Sequence, residues 1–155
     1  MTDVEGGKTA GRSRADGRIP AAPLGRLLAQ AERLLARQME AVLGEHGLTV
    51  DQWRVLDLLS DGEGLTMSEI VAAIVVPGPT LTKIVDRLVD ASAVYRLVDA
   101  RDRRRVLAFL SESGKELHSR CAPGVAAAEE NALASLGPDA FVLLDLLSRL
   151  ANSSR

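Results

Sequence analysis

The sequence predicts a mainly α-helical fold that carries one small β-hairpin. Apolar residues recur at three- and four-residue steps over most of the chain, the period of one helix face. Two helix-start signatures, Thr49 with Gln52 and Thr66 with Glu69, follow one another closely. Further on, two short β-like runs flank Asp99 to Arg105, which reads DARDRRR. With 155 residues, 46% of them hydrophobic and 26% charged, the chain suits one domain with a substantial core and is too short for two comfortable ones.

Residues 1–19 are glycine-rich, with almost no large apolar side chains. Such a segment buries too little to offset the entropy of ordering, so it reads as a flexible arm. Lys8, Arg12, Arg14 and Arg18 make the arm mildly basic, which admits an accessory role on a phosphate backbone. The remainder, residues 20–155, forms the single domain.

The first helix is expected from Ala21 to Glu45, with Leu24, Leu27, Leu28, Ala31, Leu34, Leu35, Met39 and Val42 on one stripe. It is longer than a small domain needs to cover its own core, so its stripe is expected to continue onto a second chain. At the next start Thr49 caps, Gln52 reaches back, and Leu48 can pack on Trp53 as a hydrophobic staple. Trp53, Leu56 and Leu59 form the buried face, so the only tryptophan reads as core. After the turn Asp61-Gly62-Glu63-Gly64, Thr66 and Glu69 open a short helix through Ile70, Ala73 and Ile74. Pro77-Gly78-Pro79 ends it, and Pro79 suits the first position of a new helix.

That new helix, Pro79 to Asp90, carries Leu81, Ile84, Val85, Leu88 and Val89 on one face and Thr80, Thr82, Lys83, Asp86 and Arg87 on the other. Two helices joined by a short turn, the second with a polar and basic outer face, form a helix-turn-helix arrangement. Val94 to Val98 and Val106 to Leu110 then make a hairpin, with Val106, Ala108 and Leu110 on one side and Leu107 and Phe109 on the other. Two helices follow, about Ser113 to Leu136 and Asp139 to Asn152. The apolar face of the last, with Phe141, Leu144, Leu147 and Leu150, is wide enough to imply a partner subunit.

The net charge of −2 conceals a polarised distribution. From Pro79 to Arg105 there are seven basic residues against four acidic, so this segment carries +3 and the rest of the chain −5. This is the layout of a protein that turns one face to a polyanion. A helix suits the major groove of double-stranded DNA, and a thin hairpin tip suits the minor groove, where arginine meets concentrated negative potential. The helix candidates are Pro79, Thr80, Thr82, Lys83 and Arg87; the hairpin candidates are Arg101, Asp102, Arg103, Arg104 and Arg105. Within the tip, Asp102 is expected to pre-orient the guanidinium of Arg104, and Asp99 that of Arg101. The bland alternative is a solvated turn with weak surface ion pairs.

These residues resemble the MarR family of bacterial transcription regulators. The resemblance runs from Leu48 to Leu117, nearly half the chain. It rests on LT-x-x-QW-x-VL from Leu48, T-x-SEI from Thr66, T-x-T-x-x-VDRL from Thr80, and D-x-R-D-R-R-x-x-x-x-x-L-S-x-x-G from Asp99 to Gly114. It implies a homodimer clamped by terminal helices, about 21–46 and 113–153, with a winged helix-turn-helix over about 48–112. It also implies a recognition helix at Pro79 to Asp90 and a wing that puts a side chain into the minor groove from Asp102 and Arg104. Family members mostly repress, reading pseudo-palindromic operators with half-sites ~34–36 Å apart. Many are released by a small aromatic acid. Where the family commonly has Gly-Leu-Val before the first wing strand, this chain has Ser92-Ala93-Val94.

For such an effector the residues offer only Arg26, Arg33 and Arg37 as carboxylate partners and Trp53 as an aromatic wall. Cys121 could instead sense oxidants, giving a redox-responsive regulator, or pair with His118 as half a metal site. A winged-helix protein-protein adaptor without DNA binding is the other alternative. The sequence has no nucleophile-base arrangement, Gly-rich phosphate loop or metal cluster, so neither an enzyme nor a cofactor or metal is expected. The absence of a membrane-length apolar run and of a secretory signal in this sequence, with a single cysteine, points to a cytoplasmic protein with no membrane partner.

Overall fold

The computed structural model describes residues 23–74 and 76–153. The flexible arm expected over residues 1–19, and positions 21 and 22 of the first predicted helix, lie outside the described residues. Helix α1 runs Leu24–Gly44 and packs mainly on the long helix α5, Glu112–Leu133. Close approach is possible because α5 has glycine at 124, where a Cβ would lie 2.5 Å from a methyl of Val42. Pro123 sits in the middle of α5 without ending it.

Helix α2, Val50–Leu58, opens with the expected reciprocal cap. The Gln52 amide donates to Thr49 Oγ1 at 3.2 Å, and the Thr49 amide donates to Gln52 Oε1 at 2.9 Å. Helix α3 covers Met67–Ile74 and α4 Gly78–Asp90. The start of α4 differs by one residue from the prediction, since Pro79 is its second residue. The Pro77 carbonyl accepts from the amides of Thr80 and Leu81, at 2.9 and 3.0 Å, which draws Gly78 into the first turn. Proline is tolerated there because the first turn's N–H groups have no intrahelical acceptor.

The hairpin strands are Val94–Val98 and Val106–Leu110, at the predicted positions, paired antiparallel from Val94↔Leu110 to Val98↔Val106. In chain order they are β2 and β3, because Leu65–Thr66 forms a two-residue strand β1 paired with Ala108 and Leu107. The sheet order is β1-β3-β2. Val94, Ala108 and Leu110 are buried against the helices, whereas Val106, nearer the tip, is exposed. After α5 the chain tightens into a 3-10 turn, Ala134–Leu136, and ends in α6, Asp139–Asn152.

Leu56, Leu59, Ile70, Leu81, Val85 and Leu88 are buried almost completely, so α2, α3 and α4 share one core. It is closed by Leu43 of α1 and by Cys121 and Val125 of α5. Beyond that core, α6 buries none of its side chains, and Phe141 is 79% exposed. Leu24, Leu27, Leu28 and Leu34 of α1 are also exposed. No single helix among the described residues is long and apolar enough to cross a membrane.

The junction between α4 and the wing is closely fastened. Ser92 adopts φ 58°, a left-handed conformation that glycine occupies without steric cost. Its carbonyl accepts from the hydroxyls of Ser111 and Ser113, at 2.6 and 2.7 Å, which holds the residue in place. Replacing the usual glycine by Ser92 therefore leaves the turn intact.

Candidate functional site

The polar face of α4 is determined by the burial of the other face. Once Leu81, Ile84, Val85 and Leu88 are packed inward, the helical period turns Thr80, Thr82, Lys83 and Arg87 outward, and all four are exposed with Pro79. Thr82 uses its hydroxyl proton within the helix, donating to the Gly78 carbonyl at 3.1 Å. It can therefore offer a partner a methyl group and oxygen lone pairs, but no free donor.

The wing tip differs from the prediction in how its aspartates act. Asp99 Oδ1 accepts from the backbone amide of Arg101 at 2.8 Å, and Asp102 Oδ1 accepts from that of Arg104 at 3.0 Å. Neither aspartate pairs with the guanidinium it was expected to orient. Both instead form side-chain turns two residues ahead, a local habit of aspartate in loops. The Arg105 amide donates to the Asp102 carbonyl and the Asp99 amide to the Arg105 carbonyl, each at 2.9 Å, which closes the loop. The aspartates thus shape the backbone that displays the arginines.

Arg105 also departs from its expected role. Its guanidinium lies 3.0 Å from Glu69 Oε1 and 4.0 Å from Asp99 Oδ2, inside the protein's own ion-pair network. Among the described residues Lys83, Arg87, Arg101, Arg103 and Arg104 form no ion pair. These five cations remain available, and Arg105 acts as an anchor. A second tie, Arg96 to Asp86 at 2.8 Å, joins β2 to α4.

Glu69 is the joint of the network. Its Oε2 accepts from the Thr66 amide at 2.7 Å and from the Thr66 hydroxyl at 2.8 Å, while Oε1 takes Arg105. The Thr66 bonds and, secondarily, the Arg105 charge hold its carboxyl below the usual carboxylate range. A depressed folded-state pKa contributes stability that is present above the unfolded value and lost as pH falls through the folded one. Acidification below about pH 4.5 is therefore expected to weaken the cap of α3 and, secondarily, its tie to the wing. Glu69→Gln should flatten the acid limb of the unfolding midpoint against pH, and an identical acid limb in both proteins would refute the role.

A cleft of about 360 Å³ opens between α1, α2, α3 and α5. It is lined by Leu35 and Met39 of α1, by Trp53, Arg54, Asp57 and Leu58 of α2, by Ala73 and Ile74 of α3, and by Glu129 of α5. Trp53 is 5% exposed, as expected for core, yet it also contributes to the cleft wall and stacks on His118 with ring centroids 4.8 Å apart. Arg26, Arg33 and Arg37 are exposed on α1 and do not line the cleft. The lining residues Arg54, Asp57 and Glu129 were not candidates from the sequence, and neither was Glu69. The capping-box position of Glu69 was a signal for it, but nothing local marked the other three.

Cys121 is fully buried, and burial pushes its thiol up, away from the thiolate that reacts with oxidants. His118 turns from it to Asp57, with Nε2 at 3.0 Å from Oδ1. No group of three or more metal-ligating side chains gathers among the described residues.

A helix-turn-helix with a basic two-stranded wing, framed by long helices, defines a winged helix-turn-helix protein. The profile of the MarR family matches residues 46–105. The chain is 32% identical over 125 residues to the HTH-type transcriptional regulator FarR of Neisseria gonorrhoeae, covering 80% of this chain and 86% of that one. It is likewise 32% identical over 115 residues to the HTH-type transcriptional repressor Rv2887 of Mycobacterium tuberculosis, covering 74% and 83%. Similar solved structures include NadR in complex with 4-hydroxyphenylacetate, with a TM-score of 0.76, 29% identity, and 89% of this chain and 99% of that chain covered. Rv2887 in complex with p-aminosalicylic acid has a TM-score of 0.71 at 30% identity, with 84% and 100% covered. The chain belongs to the MarR family of transcription regulators.

Proposed function

We propose that the protein is a homodimeric, sequence-specific DNA-binding repressor that a small aromatic ligand releases from a pseudo-palindromic operator. The observation that carries this reading is the pairing of two unsatisfied basic surfaces. The outer face of α4 and the tip of the wing expose Lys83, Arg87, Arg101, Arg103 and Arg104 on elements tied together by the Arg96–Asp86 pair. In this reading α4 enters the major groove, where Pro79 and Thr80 begin the contact surface and Lys83 and Arg87 meet phosphates or guanine edges. The wing tip reaches the adjacent minor groove.

The dimer is proposed from the exposed leucines of α1 and the exposed apolar face of α6, which flank the winged domain at about 48–112. Two copies joined there present two helices to half-sites about one turn of DNA apart. Two separate observations support the ligand part of the proposal: the relatives NadR and Rv2887 were solved with small aromatic molecules, 4-hydroxyphenylacetate and p-aminosalicylic acid, and this chain has a cleft of a size for such a molecule. The protein would act in the cytoplasm, where its operator lies.

The test is a mobility-shift titration on the region upstream of the protein's own gene, repeated across salt concentrations. Lys83→Ala is expected to weaken binding and to reduce the salt slope by about two, because the dimer loses one phosphate contact in each of its two half-sites. Salt-independent binding, or none, would defeat the DNA reading and leave a protein-protein adaptor. An unchanged slope in the variant would remove Lys83 from the interface.

A further inference from the structure

The charges around the cleft do not suit a carboxylate. Among the described residues the one cation lining it is Arg54, and that guanidinium is already committed. Its Nη2 lies 2.9 Å from Glu32 Oε1 and its Nη1 lies 3.1 Å from Asp51 Oδ1. Two carboxylates, Asp57 and Glu129, share the lining with it. Asp57 is 60% exposed and holds His118 on one oxygen, while Glu129 forms no ion pair among the described residues. An anion entering here would meet one arginine already paired with two carboxylates and two further negative groups in the lining. Both carboxylates are exposed, and like charges lining a cleft disfavour an anion there relative to a cation.

We propose that the cleft selects a cationic aromatic ligand, an amine or amidine on a flat ring, with the ring between the aliphatic side chains and Trp53 and the positive group on Glu129 and Asp57. This rests on the reading of the cleft as the effector site and adds the sign of the effector's charge. The pieces match in kind. Leu35, Met39 and Ile74 supply apolar contact, Trp53 an aromatic wall, and the two carboxylates acceptors for N–H donors that carry charge. Burial and the Asp57 charge push the Glu129 carboxyl up, and a cation placed between the two carboxylates would offset their mutual repulsion.

Three ligands of nearly one shape decide the matter: benzamidine, benzamide and benzoate, which are cationic, neutral and anionic. Each is titrated into the full-length protein while the fluorescence of Trp53, the chain's only tryptophan, is followed. Benzamidine is expected to bind about tenfold more tightly than benzoate, with benzamide between them. Glu129→Gln should erase most of that difference, and a thermal melt of the unliganded variant shows whether it is folded. Should the variant not fold, the order of the three ligands on the unmodified protein still decides.

Benzoate binding as tightly as benzamidine, or more tightly, overturns the proposal. If benzoate then also releases operator DNA, the effector reading stands and only the sign of charge falls. A folded Glu129→Gln protein that keeps the full preference for benzamidine overturns the proposed contact. If none of the three binds, the cleft takes no ligand of this size and the inference fails, while the salt-dependent shift assay still tests DNA binding by itself.

Discussion

Gly114→Ala is expected to destabilise the protein by roughly 3 kcal/mol, or about 10 °C in Tm, the upper range for forcing an atom into packed structure. A Cβ at this position would overlap the Ala93 carbonyl oxygen and lie 2.9 Å from the Ala93 carbonyl carbon. Both are backbone atoms, so no rotamer change can relieve the clash. The same oxygen accepts the Ser111 amide at 3.0 Å, and Ser111 caps α5 by accepting the Gly114 amide on its hydroxyl at 3.0 Å. Separating Gly114 from Ala93 therefore also strains the bond to Ser111 and the cap. Melts followed by circular dichroism at one protein concentration measure the effect, and an unchanged midpoint would show that α5 can shift freely on the wing. The glycine that closes the wing motif in the sequence thus has a steric origin.

The second large effect concerns binding rather than folding. Replacing Arg101, Arg103 and Arg104 together with alanine should weaken operator binding by about ten-thousandfold or more, since each lost groove or phosphate contact costs about 1–3 kcal/mol and the dimer loses three in each half-site. The fold should survive. None of the three side chains forms an ion pair among the described residues, and the aspartate bonds to Arg101 and Arg104 use backbone amides that alanine retains. A melt superimposable on that of the unmodified protein, together with a mobility shift lost at the original concentrations, is the expected result. Retained affinity would confine DNA contact to α4. Arg105 is left out of the set because its guanidinium belongs to Glu69.

Much of this was legible in the sequence because the signals are local. The caps at Thr49 and Thr66 formed as written, since each needs only a side chain and an amide three residues away. Both hairpin strands fell at the predicted residues, because the β-branched and aromatic runs stop where the arginines begin. Strand β1 was not legible, as two residues have no period, and its pairing with Leu107 and Ala108 depends on the closed wing.

The functional surfaces split the same way. The face of α4 follows from helical period alone. The tip leaves Arg101, Arg103 and Arg104 without ion pairs among the described residues, but Arg105 is tied to Glu69 and the aspartates serve the backbone rather than the side chains that the sequence spacing suggests. Sequence spacing does not distinguish those two uses, because both place the carboxylate two residues before an arginine. The cleft was the least legible part. Asp57 and Glu129 lie on separate helices, α2 and α5, and only the packing of those helices turns them into one wall. Arg54 was invisible as a spent charge, because Glu32 reaches it from 22 residues away.

The junction at Ser92 has a mechanical consequence. Two hydroxyls hold the Ser92 carbonyl, an amide holds the Ala93 carbonyl, and the bare α-carbon of Gly114 rests against that same carbonyl. These contacts fix the root of the wing to the first turn of α5 at several points instead of one, and a body fixed at several points has no free hinge. A rotation of α5 is therefore expected to carry the root of the wing with it.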